Sequence, residues 1–356
     1  MAFLSNLILS TVAQPQNDLW SWLILNVFDF IGNYGWRILF FTLCLKLLLS
    51  PLDIFQRYKA RKNQKITERL KPEIEKLKKQ YPDPQVFQQK QALLQKKEGI
   101  SYFSSCLPAI ATLVIFITLL NSLNNVSAYM NFKEYKEYYD LYQTTQNEYL
   151  DSNPGDYDGA KEAGQQAVYD FYQTNRTGWL WIRNIWSPDV PWASEINSKD
   201  KFVENIRDYG KYPQWSGLTK DQVDNMKTEY NNVMGKLLTS SENQTNGYLV
   251  LPILSIVLSF LSQWLSMRQQ KQSGQTNEMM GSGVMKMMMF IMPIMMGVFA
   301  LTSTAAFSLY LVVQYAFSLI ITLVSNLILF ILDKREERKI ANTVIKYGRS
   351  DPNDMN

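Results

Sequence analysis

The sequence predicts an all-α membrane protein: five transmembrane helices, a cytoplasmic helical hairpin and an extracytoplasmic insert. Three observations carry that prediction. The apolar residues are gathered into five blocks of bilayer-spanning length, the segments between the blocks alternate in charge, and the 356 residues include no histidine and only two cysteines. The averages conceal this pattern. A net charge of +4 and a mean hydropathy of −0.18 describe a mildly basic soluble chain. Buried helices of soluble proteins keep a polar face, however, and these five blocks do not.

The elements follow in chain order. Residues 1–33 form an extracytoplasmic N-terminal region. Its first stretch, MAFLSNLILSTVA, reads either as a degenerate signal peptide with Ala13 near a cleavage point or as a short interfacial helix. Within 17–31, Trp20, Leu23, Val27 and Phe30 fall on roughly one helical face, which predicts a helix lying on the outer surface. A bilayer core of ~30 Å needs about 20 helical residues. Residues 34–55 supply the first span and 104–126 the second, 247–267 the third, and 285–332 the fourth and fifth. Between the first two spans, residues 56–103 read as two helices, about 53–80 and 85–98, broken at Tyr81-Pro82-Asp83-Pro84 and stopped by Gly99. Residues 127–246 form the long insert, 268–284 a cytoplasmic loop and 333–356 a cytoplasmic tail.

Charge sets the orientation. Loop 56–103 carries 13 Lys and Arg against 5 acids, a net of +8, whereas the insert nets −6. Residues 268–286 net +2, the tail +1 and residues 1–33 −2. With five spans the basic segments all fall on one side, which places them in the cytoplasm and the N-terminus outside.

Lys46 breaks the pattern, because it lies near the middle of the first span. An ammonium at the bilayer centre costs from roughly 3 kcal/mol upward, and its stem is too short to reach water. Thr42, Lys46 and Ser50 share one helical face at i, i+4, i+8 spacing. Ser255, Ser259, Ser262 and Ser266 form a second stripe in the third span, with Gln263 beside them. Gln314, Ser318, Thr322 and Ser325 form one in the fifth. Thr118, Asn121, Ser122 and Asn125 add polar atoms to the second span. Hydroxyls at helix contacts often bond across helices and do nothing more. Three stripes beside a central cation predict a wet groove within the bilayer, with Lys46, Thr42, Ser50, Ser259, Ser262, Gln263, Gln314 and Ser318 as its candidate lining.

Many chemistries are excluded. Without histidine there is no Ser-His-Asp or Cys-His catalysis and no HExxH site, and the cysteines, Cys44 and Cys106, sit in apolar runs as small buried hydrophobes. Phosphate-binding glycine motifs are absent, and Asp53 at the inner end of the first span is the one acid in any span. No catalytic residue, metal ligand, cofactor or specific DNA contact is expected, and the protein is read as a non-enzyme.

At this point the residues resemble a family. LKLLLSPLD (45–53), LKPEIEKLKKQYPDP (70–84), KKEGISYFSSCLP (96–108), LPIL (251–254), KMMMFIMPIMMGVFAL (286–301) and AAFSLYLVV (305–313) occur in an order similar to that of YidC-type membrane protein insertases, relatives of the mitochondrial Oxa and chloroplast Alb proteins. The likeness covers about 34–126 and 247–332. It implies a five-helix core around a hydrophilic groove open to cytoplasm and lipid and closed outside, acting on nascent membrane proteins in the bacterial plasma membrane, alone or with the Sec translocon. The family's first-span arginine is replaced here by Lys46, which keeps the charge and loses the bidentate fork. Its glutamine near the inner end of the third span corresponds to Ser262 or to Gln263, and Leu311 stands after Tyr310 where tryptophan is common. An insert between the second and third spans implies a Gram-positive-like member.

The basic residues Arg57, Lys59, Arg61, Lys62 and Lys65 read either as a solvated face beside anionic membrane lipids or, by the resemblance, as contacts for client, ribosome or signal recognition particle pathway. Nine of the 15 methionines lie between Met279 and Met296, suited to packing or to varied apolar clients. The tryptophan-rich centre of the insert, GWLWIRNIWSPDVPW (178–192), is expected on the outer leaflet. A small-solute transporter and a membrane scaffold are the rival functions.

Overall fold

The computed structural model describes residues 18–100, 102–208, 219–242, 244–272 and 282–347. Within these the chain is helical, the only strand-like features being isolated bridges at Trp179–Ile182 and Ser194–Thr245. The helices are α1 (Leu19–Trp22), followed by a π turn at Leu23–Val27, α2 (Tyr34–Gln80), α3 (Pro84–Lys97), α4 (Tyr102–Ser152), α5 (Tyr157–Asn175), α6 (Lys199–Asp208), α7 (Lys220–Ser241), α8 (Val250–Gln272), α9 (Ser282–Thr302) and α10 (Ala305–Tyr347). Among the described residues, three stretches are long and apolar enough to cross a membrane: Tyr34–Gln80, Leu113–Ser152 and Ala305–Ile328. Val250–Leu265 and Pro293–Thr302 are shorter apolar helices. The protein is an all-α membrane protein. The stretch MAFLSNLILSTVA and the side chains of Ser266 and Cys106 lie outside what the structure describes.

The chain divides into two compact units, one of residues 1–45, 109–260 and 286–314 and the other of 46–108, 261–285 and 315–356. The first contains the insert. The apolar run of α4 ends at Val126, and the helix continues as a charged and tyrosine-rich rod whose Tyr135, Tyr138, Tyr139 and Tyr142 recur at helical spacing. That face packs with Tyr172 of α5, Phe202 of α6 and Tyr230 and Met234 of α7 in a single core. The rings of Phe202 and Tyr230 stack at 4.4 Å. Start signals are explicit: Asp156 caps α5 by accepting from the Gly159 amide, and Thr219 and Gln222 form a reciprocal capping box on α7.

Segment 178–192, expected on the outer leaflet, packs most of its tryptophans against protein. Trp179 and Trp186 are buried and Trp181 is half-buried, while Trp192 is 70 % exposed. The segment satisfies two helix N-termini, whose first amides have no partner within their own helices, and braces the cap of a third. Asn33 caps α2 through its Oδ1 and donates through Nδ2 to the Gly178 carbonyl. Asp189 accepts from the amides of Tyr248 (2.8 Å) and Leu251 (2.7 Å) at the start of α8. The carbonyls of Ser187 and Ile185 accept from Ala305 and Ala306 at the start of α10. The Ser127 hydroxyl of α4 reaches the Trp186 carbonyl. Four apolar helices therefore meet one irregular segment.

Gly35 permits the contact with α2. A Cβ there would collide with the Trp179 ring. Gly35→Ala is expected to lower stability by about 1–3 kcal/mol through overpacking, with a shift in tryptophan fluorescence. An unchanged melting midpoint in detergent would refute this.

The N-terminal helix is tied to α4 by side-chain hydrogen bonds. Asp18 caps α1 and accepts from Ser122 (2.5 Å) and Asn125 of α4, and the Trp20 indole donates to Thr118. Burial pushes the Asp18 carboxyl up, but the hydrogen bonds from Ser122, Ser21 and Asn125 outweigh it and hold the group below the usual range. Arg37 is buried and donates to the carbonyls of Ile24, Asp29 and Ile31 while pairing with the Asp29 carboxylate at 3.0 Å. The side turned to protein carries Ser21, Ile24 and Leu25, and on the predicted apolar face Val27 and Phe30 are exposed, Phe30 at 82 %.

In the second unit the hairpin breaks where predicted, at Tyr81–Asp83. Asp83 caps α3 with Pro84 in its first turn, and Gly99 at φ +83° closes a Schellman turn from Ile100 to Gln95 and from Gly99 to Lys96. The first arm is not a separate helix. It is the continuation of the first span, since α2 runs unbroken for 47 residues with Pro51 and Pro72 inside it. Pro51 has no amide to give the Leu47 carbonyl, and the Ser50 hydroxyl donates to that carbonyl at 2.8 Å instead.

Candidate functional site

The candidate residues begin on α2. At 100° per residue, Thr42, Lys46, Ser50, Asp53 and Arg57 stay on one side of the helix, so the predicted three-residue stripe extends by two further turns. Lys46 is buried at 7 % exposure and Thr42 fully, whereas Leu47 and Leu48 beside them are exposed. The cation therefore lies on the protein-facing side of an otherwise apolar turn. The Asp53 carboxylate, two turns on, acts electrostatically on both Lys46 and Arg57. Cys44, expected to be buried, is exposed, because it projects from the side of α2 opposite Lys46.

The hydroxyl stripes mostly satisfy their own helices. Thr42 donates to Ile38, Ser255 to Pro252, Ser259 to Ile256 and Thr322 to Ser318, all between 2.7 and 2.9 Å. Ser255 and Ser259 are buried, while Ser50, Ser262, Gln263, Gln314 and Ser318 are half-buried. Two buried polar atoms of the fifth-span stripe lack a protein partner: Oε1 of Gln314 and Oγ of Ser325.

The structure brings together one pair across helices that the sequence did not suggest. Arg57, read as a cytoplasmic contact, donates a guanidinium N–H to the Thr322 hydroxyl of α10 at 2.6 Å. It lines a pocket of about 480 Å³ with Pro51, Ile54, Phe55, Tyr58, Ser325 and Ile328. The other basic candidates remain at the surface. Lys59 is half-buried with its ammonium 5.5 Å from the Phe55 ring, Arg61 is half-buried, and Lys62 and Lys65 are exposed. Further along the hairpin, Arg69 pairs with Glu98 at 2.7 Å. No metal-binding cluster occurs among the described residues.

Helices long and apolar enough to cross a bilayer define a multi-pass membrane protein. The chain matches the family model described as 60Kd inner membrane protein over residues 26–330, and it belongs to that family. Similar relatives are named membrane protein insertase YidC. That of Clostridium tetani is 43% identical over 88 residues, 24% of this chain and 38% of the relative. That of Leptospira interrogans is 35% identical over 99 residues, 28% of this chain and 15% of the relative. That of Thermotoga maritima is 38% identical over 92 residues, 26% and 20% of the two chains. The aligned part thus spans well under half the length of these relatives.

Proposed function

We propose that the protein is a membrane protein insertase of the plasma membrane, acting without catalytic chemistry. The observation that carries this reading is Lys46, a cation held on the buried side of an apolar helix in a chain of this family. An ammonium in that position attracts the acidic or polar flank of a nascent membrane protein and shortens the hydrocarbon path which that flank must cross. The client's apolar helix then leaves toward lipid along the first, third and fifth spans. Thr42, Ser50, Ser259, Ser262, Gln263, Gln314 and Ser318 line the groove in this reading, and the backbone-bonded hydroxyls of Thr42, Ser50 and Ser259 offer acceptor lone pairs to water or client.

The charge asymmetry supports an outside N-terminus and a cytoplasmic C-terminus. In that orientation Arg57, Lys59, Arg61, Lys62 and Lys65 lie on the side from which ribosome, signal recognition particle pathway or Sec translocon would deliver clients. In a strain dependent on this protein, Lys46→Glu is expected to reduce insertion of acidic-tailed clients at least tenfold and Lys46→Ala several-fold, with neutral-tailed clients less affected. Full insertion by both variants would overturn the charge-based role. Crosslinking from positions 42, 46 and 314 to nascent chains separates this reading from solute transport.

A further inference from the structure

We propose that the pocket between α2 and α10 in the second unit binds the phosphate headgroup of an anionic phospholipid. Two polar groups converge on a cavity of about 480 Å³ whose other walls are largely apolar. One is Arg57. Its guanidinium has five N–H donors in a planar fork, and Thr322 accepts from one nitrogen. The other is Ser325, which is 4 % exposed and whose Oγ has no protein partner. That orphan is informative, because serine in an apolar helix normally donates to a carbonyl one turn back. Ser50, Ser255, Ser259 and Thr322 of this chain all do so. Ser325 instead lines the cavity with an unused donor.

A guanidinium fork beside a hydroxyl matches a phosphate oxygen set, which guanidinium binds bidentately. The ammonium of Lys59, over the Phe55 ring, adds positive charge near the cavity. The cavity volume suits a headgroup with part of its glycerol. The walls choose the source of the phosphate. Ile54, Phe55 and Ile328 line the pocket and are themselves exposed, as are Leu52 and Leu327 on the same helices. In a membrane protein that surface meets acyl chains, so a headgroup seated on Arg57 has its tails laid along the adjoining apolar face. A peptide carboxylate would satisfy the fork but has no tails for that face.

The test uses the whole 356-residue chain, purified in mild detergent and offered phosphatidylglycerol or phosphatidylcholine, with retained lipid counted by native mass spectrometry. The expected result is one retained phosphatidylglycerol, held at least tenfold better than phosphatidylcholine. Retention should fall at least tenfold in Arg57→Gln and also in Ser325→Leu, which fills the pocket while leaving every charge in place. If Arg57→Gln does not fold, judged by its helical circular dichroism, Ser325→Leu decides alone. Equal retention of the two lipids, or undiminished phosphatidylglycerol in Ser325→Leu, overturns the proposal. So does displacement of the lipid by millimolar inorganic phosphate, which marks a free-anion site, or by a diaspartyl peptide, which marks a client site. The readout does not involve insertion and stands or falls apart from the insertase reading.

Discussion

Asn246→Ala is expected to destabilise the first unit by about 3–5 kcal/mol, the largest effect of any single truncation argued here. The side chain is fully buried and makes a complete set of hydrogen bonds. Its Oδ1 accepts from the Asn184 amide at 2.8 Å, and its Nδ2 donates to the carbonyls of Asn184, Ser187 and Pro188. Alanine leaves one amide and three carbonyls in a site too enclosed for water to replace what is lost, and each such group costs about 1–3 kcal/mol when stranded. The segment thereby loosened is the one that caps α8 and α10 and braces the Asn33 cap of α2, so the loss should appear as a lower unfolding midpoint and as faster proteolysis within 178–192. Thr239→Ala, on an exposed turn of α7, serves as the control. A change of less than about 1 kcal/mol in Asn246→Ala would show that the segment is not held by this residue.

Stability of the insert should fall as pH rises toward neutrality, and Glu134→Gln should abolish that dependence. Glu134 lies on α4 beyond the apolar run, against a small polar cavity shared with Tyr138, Tyr172 and Tyr230. Its Oε1 is buried without a protein partner. Burial pushes the carboxyl from 4.5 up to about 7, a hydrogen bond from Thr177 pulls it back, Glu137 raises it and Lys133 lowers it. Because the folded value lies above the unfolded one, the stabilisation is fully present below about pH 4.5 and is lost as pH rises through 7. A shift of that size corresponds to about 3 kcal/mol between the acid and alkaline limits. The surrounding phenols stay neutral over the whole interval, since burial raises Tyr138, Tyr172 and Tyr230 far above it. Melting midpoints at pH 5 and pH 8 measure the effect. Glu134→Gln should gain stability at pH 8, and an unaltered pH slope in that variant would assign the dependence to another group.

What the sequence disclosed, and what it withheld, follows from the range of the interactions. The apolar helices and the hairpin break were readable because block hydrophobicity and the Tyr81–Pro84 turn are local signals. Lys46 was readable because a lone charge within an apolar block conflicts with its surroundings. Arg57 was not, since its neighbours in sequence are other cations of a basic loop and its partner Thr322 lies on the last helix. Asp189 and Asn246 were equally silent. Irregular segments have no periodicity, and their partners are set by tertiary packing alone. The stripes were visible as spacing, but spacing does not tell a hydroxyl that repairs the gap left by Pro51 from one that faces an opening.

The clasp formed by segment 178–192 also imposes an order on biogenesis. Ile185 and Ser187 wait for the amides of Ala305 and Ala306, which leave the ribosome more than a hundred residues later. Until then those two carbonyls lack the partners they have in the finished fold. The loop closure that supplies them is of high contact order and therefore late. A chain of this design completes its own topology only after its last span has entered the membrane. Truncation before Ala305 should therefore leave a product whose tryptophan-rich segment is open to protease even though every earlier helix is in place.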